Sequence, residues 1–394
     1  MSQPRSSAVQ LSLGVAVAFV SALFLATPPF LIPALVSEYS LGLASAGLLA
    51  VLPNLGMVAT LIVWGVFADR FGERSVLTLG LALTALAACG ATVSRDPFLL
   101  GACFLLGGMT SASANAASGR IVIGWVRPDR RGLAMGIRQM AIPLSAMLAA
   151  SAIPPLAEQY GIAVALMLPA VSCAFVLPCC ALWLRNPERP SQRPSAPGEK
   201  RADNPYRKSR YLVRIHTAST ILCIPQFALL TFGLVWMMSD LGWSAAAAGA
   251  MVGVAQFLGA MGRVAVGAYS DVIGRTAIIR YISVLNIAAL VLTGFAAYMQ
   301  WSLLAVVFFI LATCLSVADN GPAFTTVAEV AGPFWSGRAL GIQNTSQHFA
   351  GFLVGPAVGV LIELIGFPAV LAMLAIAPVL ALPFVPRTDR RYED

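Results

Sequence analysis

The chain has 394 residues, 58% of them hydrophobic and only 11% charged, whereas soluble domains carry about a quarter charged residues; this composition excludes an ordinary aqueous globule. Its net charge of +8 is scattered over short segments between apolar runs, with no basic face or interleaved aromatics, which argues against a nucleic-acid partner. Cys89, Cys103, Cys173, Cys179, Cys180, Cys223 and Cys314 all lie inside apolar runs without metal-ligand spacing, so they are expected to pack, and no metal site or cofactor is expected.

Apolar segments able to cross about 30 Å of hydrocarbon are predicted at 11–36, 45–67, 75–94, 98–122, 133–155 and 163–184. Six more are predicted at 212–238, 246–268, 277–298, 302–326, 338–362 and 367–386. The first run follows a short polar start, Met1 to Gln10, and exceeds the roughly 7 to 15 apolar residues of a cleaved signal. It is read as a retained span. The fold class is therefore an all-α membrane protein of 12 transmembrane helices, with the lipid bilayer as its first partner.

Basic residues fall in alternate loops: Arg70, Arg74, Arg127, Arg130, Arg131, Arg275, Arg280 and Arg338, with Arg5 before the first span and Arg387, Arg390 and Arg391 after the last. The opposite loops offer only Arg95. Positive charge stays on the cytoplasmic side, so both termini are expected there, and Arg-rich, Lys-poor usage suits a bacterial inner (plasma) membrane. Residues 185–211 are rich in Pro, Ser and basic side chains and read as a cytoplasmic linker. They separate an N-terminal six-helix bundle, 1–184, from a C-terminal one, 212–394.

The halves repeat. Gly65-Val66-Phe67-Ala68-Asp69-Arg70-Phe71-Gly72 recurs as Gly267-Ala268-Tyr269-Ser270-Asp271-Val272-Ile273-Gly274, 202 residues on. An offset of 205 relates Asn115 to Asn320, Pro128 to Pro333, Gly132 to Gly337, Ala134 to Ala339 and Gly136-Ile137 to Gly341-Ile342. Parallel six-span repeats place a solute site near the membrane midplane between two pseudo-twofold-related bundles that rock for alternating access.

These residues resemble the major facilitator superfamily, whose loop between spans two and three carries Gly-x-x-x-Asp-Arg-x-Gly followed by basic residues. The first copy departs at Glu73; the second lacks the Arg after Asp271 but keeps Arg275. The small Gly65 and Gly267 leave room for close helix contact, and Asp69 and Asp271 can meet the positive N-terminal end of a neighbouring helix. The resemblance implies that Gly65, Asp69, Arg70, Gly267, Asp271 and Arg275 gate the cytoplasmic side; a turn with no gating role is the alternative. Cys103 stands four residues before Gly107, where the family tends to carry an Arg, so a proton-coupling role built on that arginine does not transfer. The Gly-Pro signature of span five is degraded, while span eleven keeps Gly351, Gly355-Pro356 and Gly359.

Ionisable groups inside spans are costly and therefore candidates for function. Arg138, beside Gln139, repeats as Gln343 beside Asn344; these polar pairs are expected to border a solute cavity, unless Arg138 snorkels to the surface. Arg263 ends a stripe of Gly249, Gly253, Gln256 and Ala260, resembling the arginine that monocarboxylate and oxalate-formate carriers use for a carboxylate. Its guanidinium fork suits that group, and loop pairing is the alternative. Asp319, next to Asn320 and matched by Asn115, can exchange protons or serve a structural ion pair. His348 shares a helical face with Asn344, Gly351, Gly355 and Gly359 and either titrates or packs. Trp64, Trp125, Trp236 and Trp301 lie near span ends and read as interfacial anchors.

The function expected is secondary transport of a small organic anion such as a monocarboxylate, coupled to protons, by a monomer. Efflux of an amphipathic drug or metabolite is the first alternative. A membrane-embedded enzyme or sensor is the second, disfavoured because no Walker sequence, zinc motif or nucleophile elbow is present.

Overall fold

In hydrocarbon every backbone N–H and C=O must be paired within the protein, which leaves helices as the economical answer for long apolar segments. The computed structural model describes residues 3–126, 131–187, 204–332 and 335–389. Among them every regular element is helical. Helices α1 (Gln3–Ala26) and α2 (Ile32–Tyr39) form the first crossing, joined by a 3-10 turn at Pro28–Leu31. The join follows from Pro28 and Pro29, which have no N–H to continue the ladder; the Thr27 hydroxyl donates back to the Leu23 carbonyl at 2.7 Å. Helices α3 (Leu43–Phe71), α4 (Glu73–Val93), α5 (Pro97–Trp125), α6 (Arg131–Tyr160) and α7 (Ile162–Trp183) complete the first half.

The second half begins with the short α8 (Pro205–Lys208), then α9 (Tyr211–Ser239), α10 (Ala245–Ile273) and α11 (Arg275–Tyr298). The tenth crossing is two helices, α12 (Ser302–Ala318) and α13 (Asn320–Ala331). They part at Asp319 because Pro322 offers no N–H to the Ala318 carbonyl four residues back. Helix α14 (Ser336–Met373) is interrupted at Gly366, with φ 78° and ψ 166°, and α15 (Ile376–Ala381) follows. Eleven stretches of the described residues are long and apolar enough to cross a membrane, and predicted spans eleven and twelve are the two arms of α14 on either side of Gly366, the second running on into α15.

The chain divides into two compact units, Met1–Gln192 with Ser244–Gly253, and Arg193–Trp243 with Val254–Asp394. In the first unit α3 crosses α5 at backbone contact. A Cβ added at Gly56 would lie 2.1 Å from the Leu105 carbonyl oxygen, and one at Gly108 would lie 2.1 Å from that of Pro53. Thr60 and Trp64 both donate to the Met109 carbonyl, at 2.6 and 2.7 Å. Trp64 is thus buried as a strut between helices rather than an interfacial anchor. Trp236 likewise is fully buried in the second unit, its ring centroid 5.6 Å from that of Phe309. Proximity to a span end specifies depth, not whether a ring faces lipid or protein.

Gly65 and Gly267 meet nothing within 4 Å of an added Cβ, so close helix packing is not what these two glycines provide. That role falls to Gly56 and Gly108. We expect Gly108→Leu to cost at least about 3 kcal/mol, since overpacking against an immovable carbonyl exceeds the usual penalty. Purified variant with the wild-type melting temperature would refute the crossing.

Large apolar side chains cover the outside of each unit: Leu86, Phe175 and Leu303 are 67%, 74% and 78% exposed, a surface suited to lipid and not to water.

Candidate functional site

Arg138 sits in α6, reaches across to α5 and is buried. Its Nε donates to Ser118 Oγ at 3.1 Å, Nη1 to Gln139 Oε1 at 2.9 Å and Nη2 to Asn115 Oδ1 at 3.3 Å. The Asn115 amide donates in turn to Met57 Sδ, and Ser118 is tied to the Ala114 carbonyl. The structure therefore brings Arg138, Gln139 and Asn115 together and adds Ser118, which sequence reading missed. All three partners are neutral. A guanidinium has five N–H donors, so two stay available, and among the described residues no carboxylate pairs with it.

In the second unit Arg263 leaves its α10 stripe to donate from Nε to the Val317 carbonyl at 3.3 Å. Its two terminal nitrogens have no hydrogen-bond acceptor among the described residues. Asp319 is buried at the α12–α13 break, with Oδ2 unpartnered among the described residues and an electrostatic interaction with Arg263. Gln256, expected beside them, makes no side-chain hydrogen bond among the described residues. Gly249 and Gly253 belong to the first unit, where an added Cβ at Gly249 would lie 2.1 Å from the Ala150 carbonyl oxygen.

A ladder of polar contacts joins α9 to α14. His216 Nδ1 meets Gln343 Oε1, Thr220 Oγ1 donates to Ser346 Oγ at 2.8 Å, and Gln347 Nε2 donates to Ser219 Oγ at 2.8 Å. From its top rung Gln347 also donates to Asn320 Oδ1 at 3.0 Å, and Asn320 donates to Gln226 Oε1 at 2.8 Å. Asn320 thus pairs with Gln347, one turn along α14 from Gln343. Asn344 is turned aside onto its own Leu340 carbonyl at 3.0 Å, while the His348 ring lies 6.3 Å from that of Phe227. Gln226, Ser219 and Gln347 were not singled out from sequence.

The repeated Gly-Asp turn follows one plan in both units, with a more extensive cap in the second. Gly72 and Gly274 take φ of 88° and 96°, values that favour glycine. Behind Gly72 the Asn186 side chain accepts from Arg74 N at 2.8 Å; behind Gly274 the Asp389 carboxylate accepts from Arg275 N and Thr276 N, each at 2.8 Å, and from Thr276 Oγ1 at 2.7 Å. Each side chain satisfies N–H groups that open a helix. A Cβ at Gly72 or Gly274 would come within 2.7 Å of its cap. The caps are themselves repeat partners, 203 residues apart, a signal that extending the repeat past the last span of each half would have found.

Arg275 forks onto Glu329 at 2.7 and 2.8 Å and pairs with Asp271 at 3.1 Å. Asp271 therefore answers Arg275, while Asp389 takes the helix end. The Asp69 side chain lies outside the described residues, and Arg70 lies over the Phe71 ring at 5.3 Å. Burial pushes the Asp389 carboxyl up, but the Thr276 and Arg275 hydrogen bonds and the Arg275 charge outweigh it and hold the group below its ordinary value. A lowered carboxyl contributes stability that is complete above the unfolded value near about 4 and is lost as pH falls through the folded one. Asp389→Ala should cost about 1 kcal/mol at neutral pH, and the gap in melting temperature should close below about pH 4. A gap that stays constant into acid would remove the charged cap from the account.

The linker ends are tied down. Arg185 N donates to Gln10 Oε1 at 2.8 Å and the Gln10 amide donates to the Trp183 carbonyl at 2.9 Å, while Asn204 caps α8 through Tyr206 N at 3.0 Å.

Comparison with known proteins supplies the lineage. A family model, Major Facilitator Superfamily, matches residues 14–356. The MFS-type transporter Rv2994 of Mycobacterium tuberculosis is 42% identical over 376 residues, covering 95% of this chain and 83% of the relative. Among solved structures, a bacterial homologue of the human lysosomal transporter Spinster, inward-facing and occupied, superposes with TM-score 0.81 at 14% identity over 98% of this chain and 97% of that one. A D-xylose-proton symporter gives 0.79 at 15% identity over 100% and 99%. At such identity these two structures speak for the fold alone.

Proposed function

The chain belongs to the major facilitator superfamily and is a transporter rather than an enzyme, and on that premise we propose that it moves a small organic anion, a carboxylate, by alternating access with a proton as co-substrate. The observation that carries this reading is Arg138, a buried guanidinium whose partners among the described residues are neutral oxygens of Asn115, Ser118 and Gln139. Burying an unpaired charge costs several kcal/mol by broad estimate. An anionic solute with two oxygens matches the two donors that remain and relieves that cost.

Arg263 supplies a second cation. Its terminal nitrogens are free of hydrogen bonds among the described residues, and Asp319 is the acid that interacts with it. A solute carboxylate and an ionised Asp319 compete for this one guanidinium. Anion entry and proton uptake on Asp319 therefore favour each other, as linkage requires, and one proton accompanies one anion. His348 is a further proton-exchange candidate. Gly65, Asp69, Arg70, Gly267, Asp271 and Arg275 serve as the gate, with the Arg275–Glu329–Asp271 ion pairs breaking and reforming. We assign the protein to a bacterial inner membrane as a monomer with both termini cytoplasmic.

The test is a thermal-shift panel of monocarboxylates, dicarboxylates, sugars, amino acids and quaternary-ammonium drugs on the purified protein, followed by vesicle flux of the strongest stabiliser. Carboxylates alone should stabilise it. Preferential stabilisation by cationic amphipaths would replace the anion reading with drug efflux.

A further inference from the structure

Tyr206 stands on α8, near the end of the predicted linker and just before α9, and has no role in the pathway proposed above. Its hydroxyl lies 2.9 Å from His216 Nε2, and the two rings stack with centroids 5.9 Å apart at 21°. Trp335 closes the stack edge-on at 6.3 Å. On its other side the same imidazole meets Gln343 Oε1 through Nδ1. Gln343 is fully buried, and its Nε2 has no partner among the described residues.

Hydrogen-bond polarity links these groups. A carbonyl oxygen can only accept, so Nδ1 carries a proton toward Gln343; the neutral ring then accepts at Nε2 from the Tyr206 hydroxyl. Reversing the amide would set its NH2 against Nδ1, move the ring proton to Nε2 and turn the tyrosine oxygen into the acceptor. The tautomer of His216 thus decides whether Gln343 offers a donor or an acceptor away from the histidine. A buried primary amide with an unpaired NH2 carries a desolvation cost that an oxygen-bearing ligand removes. Gln343 is also the repeat partner of Arg138, 205 residues on, so both halves hold N–H donors at the same position of the fold.

We propose that Tyr206 and His216 are positioning residues that hold the Gln343 amide with its NH2 available to an oxygen atom of the transported solute. The proposal rests on the transport reading but not on the solute being an anion, because an amide NH2 serves a carboxylate, hydroxyl or carbonyl oxygen alike.

The chain has only two histidines, which makes the tautomer directly measurable. Full-length protein labelled with 15N-histidine in lipid nanodiscs, assigned with a His348→Asn variant, should report the His216 ring proton on Nδ1; a ring protonated on Nε2 alone overturns the proposal. In vesicles loaded with the compound that stabilises best in the panel above, Tyr206→Phe and Gln343→Leu should each raise KM about threefold to tenfold, the worth of one neutral hydrogen bond, with little change in maximal rate. The double variant should be no worse than Gln343→Leu. Additive losses, or a fall in maximal rate with KM unchanged, would reduce Tyr206 to packing. Should the panel select a sugar, the Arg138 reading fails while the amide assignment is still decided by the tautomer and by KM.

Discussion

Arg138→Gln is expected to lower carboxylate flux into proteoliposomes by about tenfold to a hundredfold in kcat/KM, the range of one or two hydrogen bonds to a charged group. The same substitution should leave the melting temperature of the ligand-free protein unchanged or higher. Glutamine keeps an amide donor for the Asn115 and Ser118 oxygens now bonded by the guanidinium, and it removes a buried charge that no acid offsets among the described residues. Replacing buried charges by neutral groups of similar size is often neutral or stabilising. A structural strut behaves in the opposite way, losing stability first and activity only in consequence. Arg138→Lys should fall between, since it retains the charge and loses the fork. Two readouts separate the cases: the stabilisation conferred by the best carboxylate, and the melting temperature without it. Loss of both together in Arg138→Gln would return this residue to helix packing.

The candidate site was readable in sequence where charge or repetition exposed it. Arg138, Arg263 and Asp319 stand out because ionised groups are rare inside apolar runs, and Asn115 stands out because a constant offset maps it onto Asn320. Neutral amides and hydroxyls carry no such mark. Gln226, Ser219 and Gln347 became visible only when α9, α13 and α14 were packed together. The partner of Asn320 is hidden in the same way: a helix turns by about 100° per residue, and Gln343 and Gln347 share one face, so spacing alone leaves a one-turn ambiguity that helix kinks resolve. The break at Asp319 is such a kink, and it follows from Pro322. Asn186 and Asp389 are hidden for a different reason, because they lie beyond the last apolar residue of each half, outside any span pattern. Conversely, Gly65 and Gly267 matched a packing rationale by residue type, yet an added Cβ at either meets open space. Residue size permits close approach; only the path of the neighbouring helix produces it.

Asp319→Asn is expected to abolish accumulation driven by a pH gradient while sparing exchange of labelled for unlabelled solute across the same vesicles. Asparagine preserves the shape of a side chain that is buried where α12 gives way to α13, so the break dictated by Pro322 should persist. What disappears is the negative charge that contends with the solute for Arg263, together with the site that takes up a proton when the solute wins. The variant then resembles the protonated wild type permanently: Arg263 is always free to receive an anion, and the loaded carrier can still reorient. Exchange needs only that step. Net uphill transport also needs the empty carrier to return without its proton, which a neutral side chain cannot distinguish from returning with one. The ratio of the two rates, not either alone, is therefore the quantity to measure, and a variant that still accumulates solute against its gradient would move proton exchange away from Asp319, with His348 the next residue to test.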